Sequence, residues 1–201
     1  MEYINCSIGN IRNICYDLSR QVKDSGFEPD IIIYVANGGI IIGQEMSNLL
    51  SKPYYGIKVA RSGNSLKKNL SFLIRILPGK VKDILRTFEL NSGLHSKAST
   101  REIKEVNTDL PISVKKILVV DDSVDTGNTI LSISNWLYEK YRNDNVEIRV
   151  AAINVFSMST DTVKTHYYKY TDSIITYPWS VDSKEYNEFK KILNNEKTGR
   201  S

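Results

Sequence analysis

The stretch KILVVDDSVDTGNTI, Lys116 to Ile130, decides the architecture. Lys116 to Val120 is a short β-branched apolar run, the composition of a strand buried on both faces. Two adjacent acids follow, Asp121 and Asp122, and then a loop, Val124 to Thr129, rich in glycine and hydroxyl residues, which opens a helix from about Thr129 to Tyr141. Acids at the carboxyl end of a parallel strand stand where open sheets bind ligands, and their oxygens accept hydrogen bonds from a sugar diol. The loop presents backbone N–H groups at a helix N-terminus, with the positive end of the helix dipole behind them and hydroxyls at Thr126 and Thr129, which suits a phosphate dianion. Gly127, lacking a Cβ, lets the backbone approach that phosphate closely. A plain polar turn draws on the same residue types. The third acid, Asp125, and the TGNT ending at the same junction set this one apart.

Outward from that stretch, the chain alternates. Ile8, Ile11, Ile14, Cys15, Leu18 and Val22 recur at three- and four-residue steps and predict an amphipathic helix ending near Ser25-Gly26. PDIIIYVANGG then predicts a strand buried on both faces, closed by Gly38 and Gly39. Ile40 to Leu50 reads as a helix, Pro53 to Val59 as a strand, Glu147 to Phe156 as another, and Ser173 to Tyr177 as the last before Pro178-Trp179. Helices alternating with buried strands predict an α/β fold, a parallel twisted sheet flanked by helices. A short helix is expected in the tail from Lys184.

The rhythm breaks between about residues 61 and 110, read as a helical or flexible insertion within a single domain spanning residues 1–201. Leu66, Leu70, Leu73 and Leu77 form one helical stripe and Val81, Ile84, Leu85 and Phe88 another, while Asn91 to Asp109 is polar and reads as a loop or lid. Every charged residue from Arg61 to Lys82 is basic, including Lys67, Lys68 and Arg75. That fits either a surface that steers a phosphorylated ligand or a helical hairpin whose lysines are simply solvated.

The 201 residues are 41% hydrophobic and 25% charged, ordinary for a globular domain with a core of its own. Two cysteines, Cys6 and Cys15, both assigned to the first helix, exclude a disulfide framework. A formal net charge of +4 is too small to indicate a nucleic-acid partner. The apolar runs fall short of the roughly 20 residues that span a membrane. The start, MEYINCSIGN, has no basic segment leading an apolar one, so a cytoplasmic location is expected. His95 and His166 have no metal-spaced partners and read as surface or loop residues. Tyr167, Tyr168 and Tyr170 read as a partly buried edge rather than a stacking platform for nucleic acid.

VVDDSVDTGNT resembles the phosphoribosyl pyrophosphate (PRPP) binding motif of type I phosphoribosyltransferases. The likeness extends to GFEPDIIIYVANGGIIIGQEMS and to DSIITYPW, and among branches it is greatest to the xanthine-guanine and hypoxanthine-guanine enzymes. The resemblance implies that fold, with a small hood. It also implies a Mg2+-dependent transfer of the 5-phosphoribosyl group from PRPP to a nitrogenous base, with release of pyrophosphate, by a homodimer. Asp121 and Asp122 would hold the ribose hydroxyls and help hold Mg2+. Asp121 to Thr129, including Ser123, Val124, Gly127 and Asn128, would make the PRPP site, with Asp125 as the catalytic acid or base at the nucleobase. Ala36, Asn37, Gly38 and Gly39 would cradle the pyrophosphate, and Phe156, Ile174, Ile175 and Trp179 would line the base pocket, although Trp179 equally reads as core.

Three positions depart from the family pattern. Asn37 stands where Arg is common, Phe156 where the 6-oxopurine enzymes place Lys, and Ile174 where an aromatic ring usually stacks on the base. Purine salvage is the first expectation from the resemblance, and these departures weigh against it. A non-purine acceptor, or a PRPP- or nucleotide-binding regulator with weak or no transfer, is the alternative.

Overall fold

The computed structural model describes residues 2–36, 38–61, 101–105 and 110–198. Backbone packing separates a unit of Met1–Val59 with Ile103–Ser201 from a second, Ala60–Glu102. The elements run β1 (Tyr3–Asn5), α1 (Ile8–Asp24), β2 (Ile31–Val35), α2 (Gly39–Leu50), β3 (Tyr54–Arg61), β4 (Arg101–Glu105), β5 (Lys116–Val124), α3 (Asn128–Lys140), β6 (Glu147–Val155), a 3₁₀ turn Ser157–Ser159, β7 (Tyr167–Thr171), β8 (Ile174–Thr176) and α4 (Tyr186–Thr198). Six strands form one sheet in the order β4-β3-β2-β5-β6-β7, and β1 pairs with β8 in a separate two-stranded sheet. The pairs β2–β3, β2–β5, β5–β6 and β6–β7 are all parallel.

The unbroken apolar runs of β2 and β5 follow from burial on two sides. Ile32, Tyr34, Leu118 and Val120 join α1 and α2 in one core cluster. Their neighbours Ile31, Ile33, Ile117 and Val119 join α3 in the other. Successive side chains of a strand point to opposite faces, so covering both faces leaves no position for a polar residue. Helix α1 begins where expected because Ser7 and Asn10 form a reciprocal cap, Ser7 Oγ accepting the Asn10 N–H at 3.0 Å and Asn10 Oδ1 accepting the Ser7 N–H at 2.9 Å. It ends at Ser25, and Gly26 follows with φ +70°.

Several boundaries differ from the sequence reading. Strand β5 does not stop at Val120 but carries Asp121 and Asp122 within it, because β6 continues beside it as far as the Val124–Val155 pair. The polar segment 91–109 contains a strand, Arg101–Glu105, at the sheet edge, where one apolar residue, Ile103, is enough to pack on the core. The last strand is only Ile174–Thr176, and it leaves the main sheet to pair with β1. Cys6 lies ahead of helix α1, and both cysteines are buried, with Cys15 pushed up to about 12 by that burial. The tyrosine-rich segment is the edge strand β7. The two leucine and valine stripes, Lys67, Lys68, Arg75 and His95 lie outside the described residues, as do the side chain of Arg61 and the whole of Asn37.

Candidate functional site

Strands β2 and β5 are parallel neighbours in the middle of the sheet, so the turns that follow them emerge side by side at the carboxyl ends of the strands. Each turn opens a helix without a side-chain cap. Gly38 precedes α2 and Gly127 precedes α3, and neither helix has an acid in its first turn. Helix α1 is built differently: the Ser7–Asn10 cap closes its start, and the Ile8 N–H donates to Glu185 Oε2 at 2.6 Å. The chain thus caps the start of α1 with its own side chains, whereas α2 and α3 open without a side-chain cap, and a helix N-terminus attracts anions.

Between those turns stand the acids. Asp121 is 7% exposed, and its Oδ1 accepts the N–H of Asp122 at 2.9 Å. Burial, then the neighbouring charge of Asp122, pushes its carboxyl well above the usual carboxylate range. Asp122 is half-buried, with Oδ1 accepting the Ser123 N–H at 2.8 Å and Oδ2 accepting the Trp179 indole N–H at 2.8 Å. Burial raises its carboxyl too, and the N–H groups of Trp179 and Ser123 oppose the rise. Of the pair, Asp122 is the better anionic acceptor. Asp125 is exposed, one turn of chain beyond, and accepts the Ser123 hydroxyl at 2.6 Å. Val124 turns its side chain into the core, and its carbonyl accepts the N–H of Phe156 at 3.0 Å. Across the loop, Asn128 Nδ2 donates to Thr126 Oγ1 at 3.1 Å.

Two glycines here are fixed by their neighbours. Gly127 has φ +76°, and a Cβ on it would lie 2.7 Å from Val163 Cγ1. Backbone conformation and the 162–163 loop thus already require glycine here, in addition to the close approach of a phosphate expected from the sequence. A Cβ on Gly38 would lie 2.0 Å from Asp122 Oδ2 and 2.7 Å from Trp179 Nε1. The turn after β2 therefore touches the acid at the end of β5. Ala36 is tied to β3 by its N–H, which donates to the Ile57 carbonyl at 2.8 Å, and Gly39 is buried at the start of α2.

The residues assigned to a base pocket lie on three segments: just after β6, in β8 and just after β8. Phe156 sits immediately beyond β6, bonded to the backbone of Val124. Ile174 is 37% exposed opposite Tyr3 in the two-stranded sheet, whereas Ile175 packs on the core. Trp179 stacks on Tyr177, ring centroids 4.9 Å apart and planes 5° apart, and points its N–H at Asp122. The Tyr177 hydroxyl donates to the Asp122 carbonyl at 3.0 Å. Tyr177 was missed by the sequence reading, and nothing in the spacing of 55 residues from Asp122 signals it.

Two helix N-termini without side-chain caps thus flank the acid pair at adjacent strand ends. The family model of the phosphoribosyl transferase domain matches residues 7–188. The chain belongs to the phosphoribosyl transferase family. This places it among the phosphoribosyltransferase enzymes, whose fold it has. Similar solved structures include the xanthine-guanine-hypoxanthine phosphoribosyltransferase of Helicobacter pylori, with 18% identity, 94% of this chain and 99% of that one covered, and a TM-score of 0.64. The purine phosphoribosyltransferase of Pyrococcus horikoshii has 18% identity, covers 90% and 95%, and has a TM-score of 0.57. A hypothetical protein of Neisseria gonorrhoeae with bound ppGpp has 19% identity, covers 95% and 97%, and has a TM-score of 0.59. At these identities the likeness is one of fold. No curated protein sequence matches the chain significantly. No helix among the described residues of this phosphoribosyltransferase is long and apolar enough to cross a membrane.

Proposed function

We propose that this phosphoribosyltransferase moves the 5-phosphoribosyl group of PRPP to a nitrogenous base, a purine-like ring being the first acceptor to test, and releases pyrophosphate. One observation supports this above others: two helix N-termini without side-chain caps open beside each other, with Asp121 and Asp122 between them. In this reading the turn Thr126 to Thr129 takes the 5′-phosphate, Asp122 with Asp121 behind it accepts the ribose hydroxyls, and Ala36 to Gly39 faces the pyrophosphate. A ring nitrogen attacks the anomeric carbon, the bond from that carbon to pyrophosphate breaks, and pyrophosphate departs with the electron pair. The exposed Asp125 takes the proton that the base nitrogen sheds.

The donor set toward a metal is carboxylate, which suits Mg2+ held by one or two acids together with substrate oxygens. Among the described residues no group of three or more His, Cys, Asp or Glu is poised for a metal, so Asp121 and Asp122 would share the ion with PRPP. Bound there, Mg2+ would neutralise charge on the departing pyrophosphate. The same reading expects a homodimer in the cytoplasm without nucleic-acid or membrane partners, residues 1–201 serving as one phosphoribosyltransferase domain with an insertion at 61–110.

A second reading is a nucleotide-responsive regulator. Asn37, with no cation to offer a leaving group, and Phe156, with no donor for a base, favour it, and a structure of this fold holds ppGpp. The experiment is a panel of purine and non-purine bases incubated with protein, PRPP and Mg2+ while pyrophosphate is measured. Pyrophosphate released with one base and not without it supports transfer. PRPP or nucleotide binding with no release from any base would establish the regulator instead.

A further inference from the structure

We propose that Trp179 is a positioning residue for the ribose-binding carboxylate and not a wall of the base pocket, an inference that rests on the PRPP reading above. Its ring is packed against two other aromatic rings. Tyr177 stacks on it, and Phe189 of α4 meets it at 5.8 Å with the planes at 54°. With the ring held by these neighbours, the indole N–H points at Asp122 Oδ2, 2.8 Å away. The donor is thus aimed before any ligand arrives, so holding the carboxylate costs no reorganisation when the sugar binds.

Asp122 is held at three points. Trp179 takes Oδ2, the Ser123 N–H takes Oδ1 at 2.8 Å, and the Tyr177 hydroxyl takes the main-chain carbonyl at 3.0 Å. A carboxylate offers about four lone-pair directions, so two side-chain bonds leave capacity for a sugar diol while deciding where that capacity points. Gly38 completes the arrangement. Any side chain there would occupy the position of Asp122 Oδ2, so position 38 must be glycine for the Trp179–Asp122 bond to exist. Three segments distant in sequence, the turn after β2, the end of β5 and the segment after β8, meet at this one carboxylate. A ligand that engages Asp122 therefore also engages the segment carrying Trp179.

The test is Trp179→Phe, which keeps the ring and its stacking and removes the N–H. PRPP affinity in the presence of Mg2+ should fall about tenfold or more, the loss expected for a hydrogen bond to a charged group, and the KM for PRPP should rise with it. The KM for the acceptor base should stay within about twofold, because in this arrangement the indole does not touch the base. A KM rise confined to the base would overturn the proposal, since it would make Trp179 a wall of the base pocket. So would unchanged PRPP affinity in a folded variant, which would leave Trp179 a packing residue only. If the variant fails to fold, the wild-type chain carries the test. Labelled with 15N at tryptophan, it has two indole N–H signals, from Trp136 and Trp179. Adding PRPP and Mg2+ should shift the Trp179 signal and slow its exchange, while Trp136, packed on the other core cluster, stays. Binding with neither signal moved would overturn the proposal. Wild-type protein that does not bind PRPP at all would overturn the PRPP reading and this inference with it, a result distinct from binding that Trp179→Phe leaves intact.

Discussion

Asn154 and Ser173 exchange two hydrogen bonds in the protein interior, Asn154 Nδ2 donating to the Ser173 carbonyl at 2.9 Å and Asn154 Oδ1 accepting the Ser173 N–H at 3.3 Å. Both residues are buried, and the pair ties the turn between β7 and β8 to the carboxyl end of β6. Asn154→Leu would leave a buried carbonyl and a buried N–H without partners. Each such group costs about 1 to 3 kcal/mol, so urea denaturation should show a loss of about 2 to 6 kcal/mol at an unchanged slope. A loss below about 0.5 kcal/mol would show that the turn finds other partners.

Tyr34 supplies a second stability prediction, with the opposite sign from the usual rule. Its ring is fully buried, and a Cβ on Gly43 in α2 would fall 2.8 Å from the Tyr34 Cβ. Gly→Ala inside a helix ordinarily stabilises by about 1 kcal/mol. Here the new methyl meets the root of a rigid buried side chain, not a flexible tip, and overpacking of this kind costs about 1 to 3 kcal/mol. Gly43→Ala should therefore lower the thermal midpoint. A raised midpoint would mean that α2 shifts freely on the sheet.

Much of this architecture was legible because the physics is local. The runs IIIYV and ILVV admit only strands covered on both faces, and the spacing of Ile11, Ile14, Leu18 and Val22 admits only a helix with one buried stripe. What stayed hidden depends on distant partners. Asp121 and Ser123 have poor strand propensity, yet the ladder to Ala152 and Asn154 keeps them in β5. Tyr3 to Asn5 forms a strand only because Ile174 to Thr176 lies beside it. For the candidate site, the acids and the TGNT turn were readable as one contiguous motif. The bond from Trp179 to Asp122 joins residues 57 apart, and no periodicity carries that distance.

His166 gives a pH dependence. Its Nδ1 accepts the Val150 N–H at 3.1 Å, and burial, with Lys164 and Arg149 nearby outweighing Glu147, lowers its pKa below the ordinary value of about 6.5. Above that pH the ring is neutral in both the folded and unfolded chain, and the stabilising bond is intact. As pH falls below it, the unfolded chain takes up a proton that the native ring resists, so stability drops until the native pKa is passed. His166→Gln keeps an acceptor for Val150 without titrating. The variant should show a flatter stability profile as pH falls below about 6.5 in denaturation series, and an identical slope would assign the dependence to other groups.

Phe156 is tied to the backbone of Val124, so its side chain starts from the edge of the proposed PRPP turn. An aromatic ring offers no hydrogen bond to a 6-oxo group, and a site built with such a donor discriminates by orders of magnitude. Turnover of guanine, hypoxanthine and xanthine should accordingly be poor in the native enzyme. Phe156→Lys should raise kcat/KM for these bases by at least about tenfold if the acceptor is a purine. No gain would point to a non-purine acceptor.

Asp125 separates transfer from sensing. It is exposed, and within the described hydrogen bonds its carboxylate engages the Ser123 hydroxyl at 2.6 Å, which leaves lone pairs for a base nitrogen. A positioned general base contributes about 10² to 10⁴ in rate. Asp125→Asn keeps the shape and an acceptor oxygen for Ser123, so the PRPP turn is disturbed little. Pyrophosphate release should fall by about 10² to 10⁴ while PRPP affinity changes only severalfold, both measured on the same preparation. A regulator has no turnover to lose, and the substitution would then alter ligand affinity alone. A rate that survives the substitution would remove Asp125 from proton transfer. The proton would then have to leave the base to solvent or to Asp122, whose two side-chain bonds to Trp179 and Ser123 hold it in place for a different task.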